Sequence, residues 1–526
     1  MRRVNLLFFL LVFCCFSVSF SQNFEHPGDI NSGSNKNRDT RVYYSVFVQS
    51  FYDSNEDGIG DIPGLIQKLD YLKDLGIGGL WLLPFHPSPS YHKYDVSDYY
   101  GVHPDYGTLD DYRTLVNEAH KRDIKVLLDL VVNHTSFLHP WFKESGSGSE
   151  NEYRDYYIWE SDSIVWAQEK SHWHQVRDKN GNKLEGERYY GFFGNEMPDL
   201  NFDNNKVREE IIKIGNYWLK EIGIDGFRLD AMQHIYSDEQ LDKTLQWWKK
   251  FGKAMRKTKK DVFIVGEAWG EDSIIAPFLD NGISAAFNFK LAEVIRKSVL
   301  EGKNLNVIDE CNKISNLYRD NNPDFEDAIF LSNHDMNRIM SELKGDINKA
   351  KIAAALLLTL PGNPFIYYGE EIGMFGEKPD PHIREPFLWN VDKRNKGQTH
   401  WETPIFSSPE TVKPLYYQKD YDNSLYEHYK KLIHVRNQSK ALRQGDLYSY
   451  NTDNKHVIAF YRMIEDEYIF VIINLLDDYQ VIDSPQNISQ FQTVFSTHSV
   501  FKANGNQITL QGNSIFILKT SNNLNN

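Results

Sequence analysis

The strongest constraint on this chain is an alternation that runs through most of its length. Eight short apolar runs, at 42–48, 79–83, 126–132, 224–229, 262–265, 285–287, 328–331 and 364–367, are separated mainly by stretches with helical spacing. Leu65, Leu69, Leu72 and Leu75 mark one such stretch, and 207–219, 241–255 and 350–360 are others. Apolar residues three and four apart share one face of a helix. The run at 126–132 is nearly continuous, broken by Asp129, as a strand buried on both faces should be. Eight strands alternating with helices predict an α/β chain of the (β/α)8 TIM-barrel class. A doubly wound open sheet is the alternative. It would normally carry a glycine-rich nucleotide turn after its first strand, where this chain has Gln49, Ser50, Phe51 and Tyr52.

Two departures from even spacing set the expected domains. About ninety residues separate Val132 from Ile224, where a barrel unit needs roughly thirty to forty. An inserted subdomain is therefore expected over 135–200, on the loop after strand 3. From 446 to 526 the pattern changes to short β-prone runs, at 456–461, 468–475, 493–495, 507–510 and 514–519, with turn residues between them. That predicts a C-terminal all-β sandwich. The catalytic barrel then takes 41–134 and 201–445.

Residues 22–40 are rich in Asn, Ser and Gly and read as a linker. Residues 1–21 read as a signal peptide. Arg2 and Arg3 precede an apolar run at 6–16, and Ser19 and Ser21 are small residues placed for cleavage before Gln22. An uncleaved anchor and a lipidated Cys14 or Cys15 are the alternatives, but the run is short for a bilayer-spanning helix. The expected destination is secreted or periplasmic, with no transmembrane segment left in the mature chain. Cys311 would then be the one remaining cysteine, without a disulfide partner.

The balance of 58 Lys+Arg against 73 Asp+Glu, a net −15, disfavours a nucleic-acid partner. Barrel chemistry sits at the C-terminal ends of the strands. The third run ends in Asp129, Asn133 and His134. The fourth ends in Arg228, Asp230, Gln233 and His234, the fifth in Glu267 and Trp269, and the seventh in Asn333, His334 and Asp335. One carboxylate at a strand end is most often a helix cap. Asp230, Glu267 and Asp335 converging with Arg228, His134 and His334 point instead to acetal cleavage. That reaction needs a proton for the leaving oxygen and a carboxylate facing the anomeric carbon. Arg228 lies two residues before Asp230, on the same side of a strand, where its charge would keep the aspartate ionised.

These segments resemble the α-amylase family, glycoside hydrolase family 13, over essentially the whole mature chain. DLVVNH at 129–134 is similar to its first signature, and GFRLDAMQH at 226–234 to its second. EAWG at 267–270, FLSNHD at 330–335 and MPDLN at 197–201 are similar to the third, fourth and fifth. The resemblance implies Asp230 as nucleophile, Glu267 as acid/base and Asp335 as stabiliser of the distorted sugar. It implies Arg228, His134 and His334 at the same subsite, with Tyr94 as the ring beneath the sugar. The implied mechanism is retaining, with about 5–5.5 Å between the Asp230 and Glu267 carboxyl groups. Gln233 stands where many members carry Lys, which leaves acceptor preference and the split between hydrolysis and transfer open. Met197 at the head of the fifth signature weakens an α-1,6-glucosidase reading. Arg384, beyond the eighth strand, is a candidate to pair with a site carboxylate, with a surface arginine as the alternative.

The segment DSNEDGIGD at 53–61 places oxygen-bearing side chains at Asp53, Asn55, Asp57 and Asp61, with a glycine for the sharp turn. This spacing suits Ca²⁺, although Gly64 stands where an EF-hand would have its glutamate. The family carries calcium here with the Ile59 carbonyl as one ligand. A second family site would use Asn133, Asp199 and the His234 carbonyl. The expected protein is a monomeric α-amylase cleaving α-1,4 bonds of starch or maltooligosaccharides. The alternatives are a neopullulanase- or cyclomaltodextrinase-like enzyme, an exo-acting α-glucosidase, a trehalose-forming transglycosylase and a non-catalytic carbohydrate-binding protein.

Overall fold

Eight parallel strands close into a barrel in a computed structural model of the chain. They are β1 (Tyr43–Val46), β2 (Gly79–Leu82), β3 (Lys125–Leu130), β4 (Gly226–Leu229), β5 (Phe263–Gly266), β6 (Ala285–Phe287), β7 (Glu326–Phe330) and β8 (Asn363–Tyr367). The structure describes residues 39–148, 150–167, 171–177, 183–280, 282–392, 396–465, 467–485, 488–498, 502–504 and 506–520. The signal-peptide reading and nearly all of the 22–40 linker lie outside them. The ring closes where β1 pairs with β8, Tyr43 opposite Phe365. Aromatic rings fill the interior. Tyr43 stacks on Phe365 at 4.7 Å and on Phe263 at 5.4 Å, and Phe287 meets Phe365 at 4.9 Å. Large flat side chains plug a barrel that branched aliphatics more often fill. Gly79 makes room for this: a Cβ there would lie 2.3 Å from the Tyr43 ring.

The helix expected as one stretch over 65–75 is two, Ile62–Gln67 and Leu69–Leu75. The break falls at Lys68, whose ammonium lies 3.9 Å from the Tyr52 ring centroid and 4.3 Å from that of Trp389. Cation–π contact with two rings rewards the turn. Asp61 starts the first helix, its side chain accepting from Gly64 N at 2.6 Å.

The long interval after β3 holds a three-stranded antiparallel sheet, Trp159–Ser161, Lys183–Tyr190 and Trp173–Arg177. Its ends are zipped together at the barrel rim. His134 and Asp199 form an antiparallel bridge, and Leu200 N donates to Asn133 O at 2.9 Å.

The C-terminal part has two facing sheets. The larger orders Asp446–Ser449, Val457–Ile464, Glu467–Asn474, Ile515–Thr520 and Gln492–Ser496; the smaller orders Gln480–Asp483, Gln507–Leu510 and Lys502–Asn504. Strand alternation divides the larger sheet. Val457, Tyr461, Phe470 and Phe516 join Ile482, Ile508 and Leu510 in the core between the sheets. Ile458, Phe460, Ile469, Val471, Ile515 and Ile517 join the barrel's own core. Burial on both faces explains the continuous apolar runs. Cys311 is buried and unpaired, and burial pushes its thiol up to about 12, well out of reach of oxidation chemistry at neutral pH. Among the described residues no helix is long and apolar enough to cross a membrane.

Several buried groups make folding stability depend on pH. Burial raises Asp199 and Glu370 to about 8 and Asp327 to about 7. Burial lowers His86 and His134 to about 4, and His139 and His428 to about 3. The raised carboxyls contribute stability that is lost as pH climbs from about 4 through 7–8. The lowered histidines contribute stability that is lost as pH falls below about 6.5. The two trends oppose each other between roughly pH 4 and 6.5, giving a plateau. Above it the carboxyls dominate, until Lys68 and Lys93, which burial lowers to about 8, begin to add stability above about pH 8. The thermal midpoint should therefore hold roughly level to about pH 6.5 and fall by ~3–6 °C at pH 8.5. Calorimetry across pH 4–9 checks this, and a midpoint still rising at pH 8.5 would contradict it.

Candidate active site

Arg228 organises the rim. It lies on β4 opposite Asp129 of β3, one strand over. Its side chain is buried. Nη1 donates to Asp129 Oδ1 at 2.8 Å and to Asp230 Oδ1 at 2.7 Å, and Nη2 donates to Glu267 Oε2. One guanidinium thus touches three carboxylates from three adjacent strands. Asp129 is further held by the Trp81 indole N–H at 3.0 Å. Just after Asp230, Ala231 adopts the left-handed conformation at φ 45°. That is a costly state for a residue with a Cβ, and it turns the chain sharply where Asp230 projects. Met232 N then donates to Glu267 O at 3.1 Å, tying the ends of β4 and β5 together.

A second guanidinium frames the opposite side. Arg384 is buried and does not sit on the surface. Its Nη2 donates to Asp335 Oδ1 at 2.9 Å and Asp380 Oδ2 at 3.1 Å, its Nε to His334 O at 3.0 Å, and its Nη1 to Tyr91 OH at 3.3 Å. His334 Nε2 lies 2.9 Å from Asp335 Oδ2. The Tyr94 hydroxyl meets His334 Nε2 and donates to Asp129 Oδ2 at 3.3 Å, and its ring lies nearly parallel to that of His334. His134 Nε2 is 3.2 Å from the Tyr94 carbonyl oxygen.

Gln233 is placed differently from a free sugar ligand. Its Oε1 accepts from Trp269 N at 2.8 Å, and its Nε2 lies 3.2 Å from His234 Nε2. It braces a wall. Trp269 is 45% exposed, donates its indole N–H to Glu267 Oε1 at 3.2 Å and packs on Phe289 at 3.9 Å. Beside it opens a cleft of about 460 Å³, bordered by Phe289, Arg296, Met336 and Glu342. Across the site Phe193, also exposed, meets His134 and His234. Behind Arg384, Tyr91 stacks on Trp401 at 5.5 Å. Asp129, Tyr91, Trp269, Phe193 and Trp401 are thus site residues that the candidate set omitted. Asp129 and Trp269 were within reach, being part of the DLVVNH and EAWG segments; the others need the tertiary fold.

Charge balance sets the protonation states. Burial pushes Asp230 up to about 7, against the pull of Arg228 and with help from Asp129 and Asp335. Asp129 rises to about 6 by burial, and Glu267 is also raised by burial. Arg228 favours the ionised Asp230 as expected, but burial outweighs it. Its single charge is divided among three buried carboxylates. Asp335 goes the other way: despite burial, the His334 ring and the Arg384 guanidinium hold it below the usual carboxylate range. His334 itself is lowered by burial, against the pull of Asp335.

The 53–61 loop wraps on itself. Asp53 Oδ1 accepts from Asn55 N and Glu56 N at 3.0 and 2.7 Å, and its Oδ2 from Gly58 N at 2.7 Å. Asp57 Oδ1 accepts from Ile59 N at 2.8 Å. Gly58 has φ 92°, and a Cβ there would lie 2.1 Å from the His400 ring. The all-oxygen donor set fits a hard cation. Among the described residues no three acidic, histidine or cysteine side chains converge to hold a metal alone, so such an ion would also need Asn55 and the Ile59 carbonyl. Asp199, buried, accepts from Phe192 N at 3.1 Å and hydrogen-bonds the Asn133 side chain. Both partners are neutral donors. Asn133, Asp199 and His234 thus gather beside the rim, His234 stacked on Phe192 at 4.3 Å.

An eight-stranded parallel barrel with paired carboxylates at its C-terminal rim defines a retaining glycosidase or transglycosylase, and here the substrates are α-glucans. The chain belongs to the α-amylase family, glycoside hydrolase family 13: the model "Alpha amylase, catalytic domain" matches residues 45–445. It is 47% identical over 437 residues to alpha-amylase 3 of Dictyoglomus thermophilum, covering 82% of this chain and 84% of that one. It is 33% identical over 465 residues to the 4-alpha-glucanotransferase of Thermotoga neapolitana, covering 86% and 99%. The crystal structure of an alpha-amylase from H. orenii aligns with TM-score 0.82 at 39% identity, over 92% of this chain and all of that one.

Proposed function

We propose that this chain is an exported α-amylase that hydrolyses α-1,4-glucosidic bonds of starch or maltooligosaccharides. The observation that carries the reading is the shared guanidinium. Arg228 donates to both Asp230 and Glu267, so the two carboxyl groups flank one guanidinium, and a retaining pair works at about 5–5.5 Å. Glu267, its acidity weakened by burial, is the acid that protonates the glycosidic oxygen. Asp230 attacks the anomeric carbon from the other face and forms the glycosyl enzyme. Deprotonated Glu267 then activates the water that releases it. Asp335, held ionised by Arg384, accepts from the sugar hydroxyls and favours the distorted ring. His134, His334 and Arg228 line the same subsite, and Tyr94 lies beneath the sugar. Trp269 and Phe193 offer ring faces to the glucosyl unit on the leaving side.

Transfer in place of hydrolysis is the second reading. Gln233 favours it: its amide braces Trp269 and presents no charge to the acceptor, and the relative named a 4-alpha-glucanotransferase is 33% identical. A time course of products from end-labelled maltoheptaose, beside starch, pullulan and trehalose, separates the readings. Mid-length products with rapid loss of starch iodine colour are expected. Products longer than the substrate would move the assignment to a transferase, and glucose released singly to an exo-glucosidase.

Calcium belongs to the same proposal. Asp53, Asn55, Asp57, Asp61 and the Ile59 carbonyl would hold it, with Asn133, Asp199 and the His234 carbonyl as a second set. A bound ion would supply structural cross-linking of the loop after β1. That loop contacts the site wall, since His400 N donates to Gly58 O at 2.8 Å and Asp53 N to Gly397 O at 3.1 Å. Chelation should lower the thermal midpoint by ~5 °C or more, as removal of a ligand bound far above its dissociation constant does. Added calcium, not magnesium, should restore it. An unchanged midpoint after exhaustive chelation would refute the metal.

A further inference from the structure

Arg338 is nearly as buried as Arg228, 1% against 0% exposed, yet its charge is used differently. It lies three residues beyond Asp335, at the start of the short helix Ile339–Glu342. A fully buried guanidinium normally meets a carboxylate. Glu370 and Glu371 are close enough to feel this one, but both are turned to other partners. Glu370 accepts from Tyr429 OH at 2.9 Å and Ser332 Oγ at 3.4 Å, and Glu371 from Tyr44 OH and Tyr71 OH, both at 2.7 Å.

The bonds of Arg338 go to main-chain oxygens instead. Nε donates to Ile383 O at 3.0 Å and Nη1 to Tyr368 O at 2.6 Å, while its backbone N–H donates to Gly376 O at 2.9 Å. Nη2 has no hydrogen-bond partner among the described residues. The guanidinium carbon lies 4.3 Å from the Tyr367 ring centroid and 4.7 Å from that of Tyr368. An apolar side chain of similar volume would be less costly to bury here. A local rule broken in this way marks functional geometry more often than packing.

What the arrangement fixes is the backbone that carries Arg384. Arg384 and Glu385 belong to no helix or strand, so side chains must set their course. Three consecutive carbonyls are each held from the barrel. Ile383 O accepts from Arg338 Nε and from Tyr367 OH at 3.1 Å, Arg384 O from Ser50 Oγ, and Glu385 O from Tyr368 OH at 2.8 Å. Packing leaves little slack: a Cβ on Gly376 would lie 2.6 Å from His382 O, 2.9 Å from Ile383 Cα and 3.1 Å from Arg338 Cδ. Arg384 then reaches Asp335 Oδ1 and His334 O. Since Arg338 shares the loop after β7 with Asp335, it ties the carboxylate to the segment that supplies its counter-charge.

We infer that Arg338 is a positioning residue of the reaction, setting Arg384 against Asp335 and so fixing how Asp335 meets the distorted sugar, without itself touching substrate. The inference rests on the reading of the rim as an α-glucan-cleaving site. A misplacement of about 1 Å, caused by a change away from the chemistry, lowers the rate about 10²-fold. The loss falls on kcat, because an interaction made with the distorted ring counts in the transition state and little in the ground state.

The test is a double-mutant cycle in the full chain, with Arg338→Met, Arg384→Met and the two combined, read as kcat and KM on maltoheptaose. Arg338→Met alone should lower kcat ~30–300-fold and leave KM within ~3-fold of wild type. Combined with Arg384→Met it should add less than ~3-fold to the loss that Arg384→Met causes by itself, whereas two independent defects multiply. Arg338→Lys keeps the charge and can reach one of the two carbonyls, so its kcat should fall between those of Arg338→Met and wild type; it carries the same cycle where Arg338→Met does not fold. Losses that multiply in the combined variant would overturn the inference. A loss confined to KM, or single variants within threefold of wild-type kcat, would do the same. A wild type that cleaves no α-glucan would overturn the reading of the rim and this inference with it, while wild-type cleavage with multiplied losses overturns this inference alone.

Discussion

Glu267→Gln should cut kcat on maltoheptaose by about 10³–10⁴-fold and leave the thermal midpoint nearly unchanged. The amide keeps the shape of the carboxyl; its one oxygen can still accept from Arg228, while its NH2 faces the indole N–H of the half-exposed Trp269, which water can satisfy, so packing survives. What is lost is the proton for the glycosidic oxygen and the base for the water. The defect should therefore depend on the leaving group. An activated glycosyl fluoride needs no acid, so the first step should proceed and the glycosyl enzyme accumulate. Azide, which needs no base, should then restore turnover and yield a product of retained configuration. Asp230→Ala should respond in the opposite sense, azide replacing the missing nucleophile and giving the inverted product. A Glu267→Gln enzyme within tenfold of wild type on maltoheptaose, or one that azide leaves untouched on the fluoride, would overturn the assignment.

Arg228→Met should be nearly as damaging for a different reason. Asp129, Asp230 and Glu267 lose their shared counter-charge while remaining buried. Removing one partner of a buried ion pair costs about 3–5 kcal/mol, which here divides between instability and proton uptake. Protonated Asp230 cannot attack. The acid limb of the kcat/KM profile, expected near the value of about 7 that burial gives Asp230, should move at least one pH unit alkaline, and kcat at pH 6 should fall ~10³-fold. Adding Asp129→Asn to the variant should recover much of the midpoint and little of the activity. A single variant with an unmoved acid limb would show that Arg228 does not govern these carboxyls.

Much of this was legible in the linear sequence, and the remainder was hidden for identifiable reasons. The barrel could be read because its strands are buried on both faces and so appear as uninterrupted apolar runs. Asp230, Glu267 and Asp335 could be located because polar residues close such runs at the end where barrels do chemistry. The strands Asp446–Ser449, Gln480–Asp483 and Lys502–Asn504 escaped notice, and all three are edge strands of their sheets. An edge strand carries polar residues and leaves no apolar run. The sharing of Arg228 was equally invisible, since the pairing of Asp129 with Arg228 joins positions far apart in the chain. Spacing alone put Arg228 beside Asp230. Register added Asp129 and Glu267 as further partners of the same guanidinium, and burial, which spacing does not show, outweighs its pull on Asp230. Gln233 could be read as a polar residue near the site, but its bond to Trp269 N depends on how two loops meet. The helix break at Lys68 depends on rings of Tyr52 and Trp389 that only the fold brings together.

The larger C-terminal sheet has a consequence for how this enzyme comes to be folded. One of its faces completes the barrel's own core, and the strand Ile515–Thr520 lies inside it, between Glu467–Asn474 and Gln492–Ser496. That strand comes later in the chain than all eight barrel strands. A nascent polypeptide can therefore pair β1 with β8 and still leave a broad greasy flank of the barrel uncovered until synthesis has passed residue 520. Consolidation of this flank is deferred to the last stage of emergence.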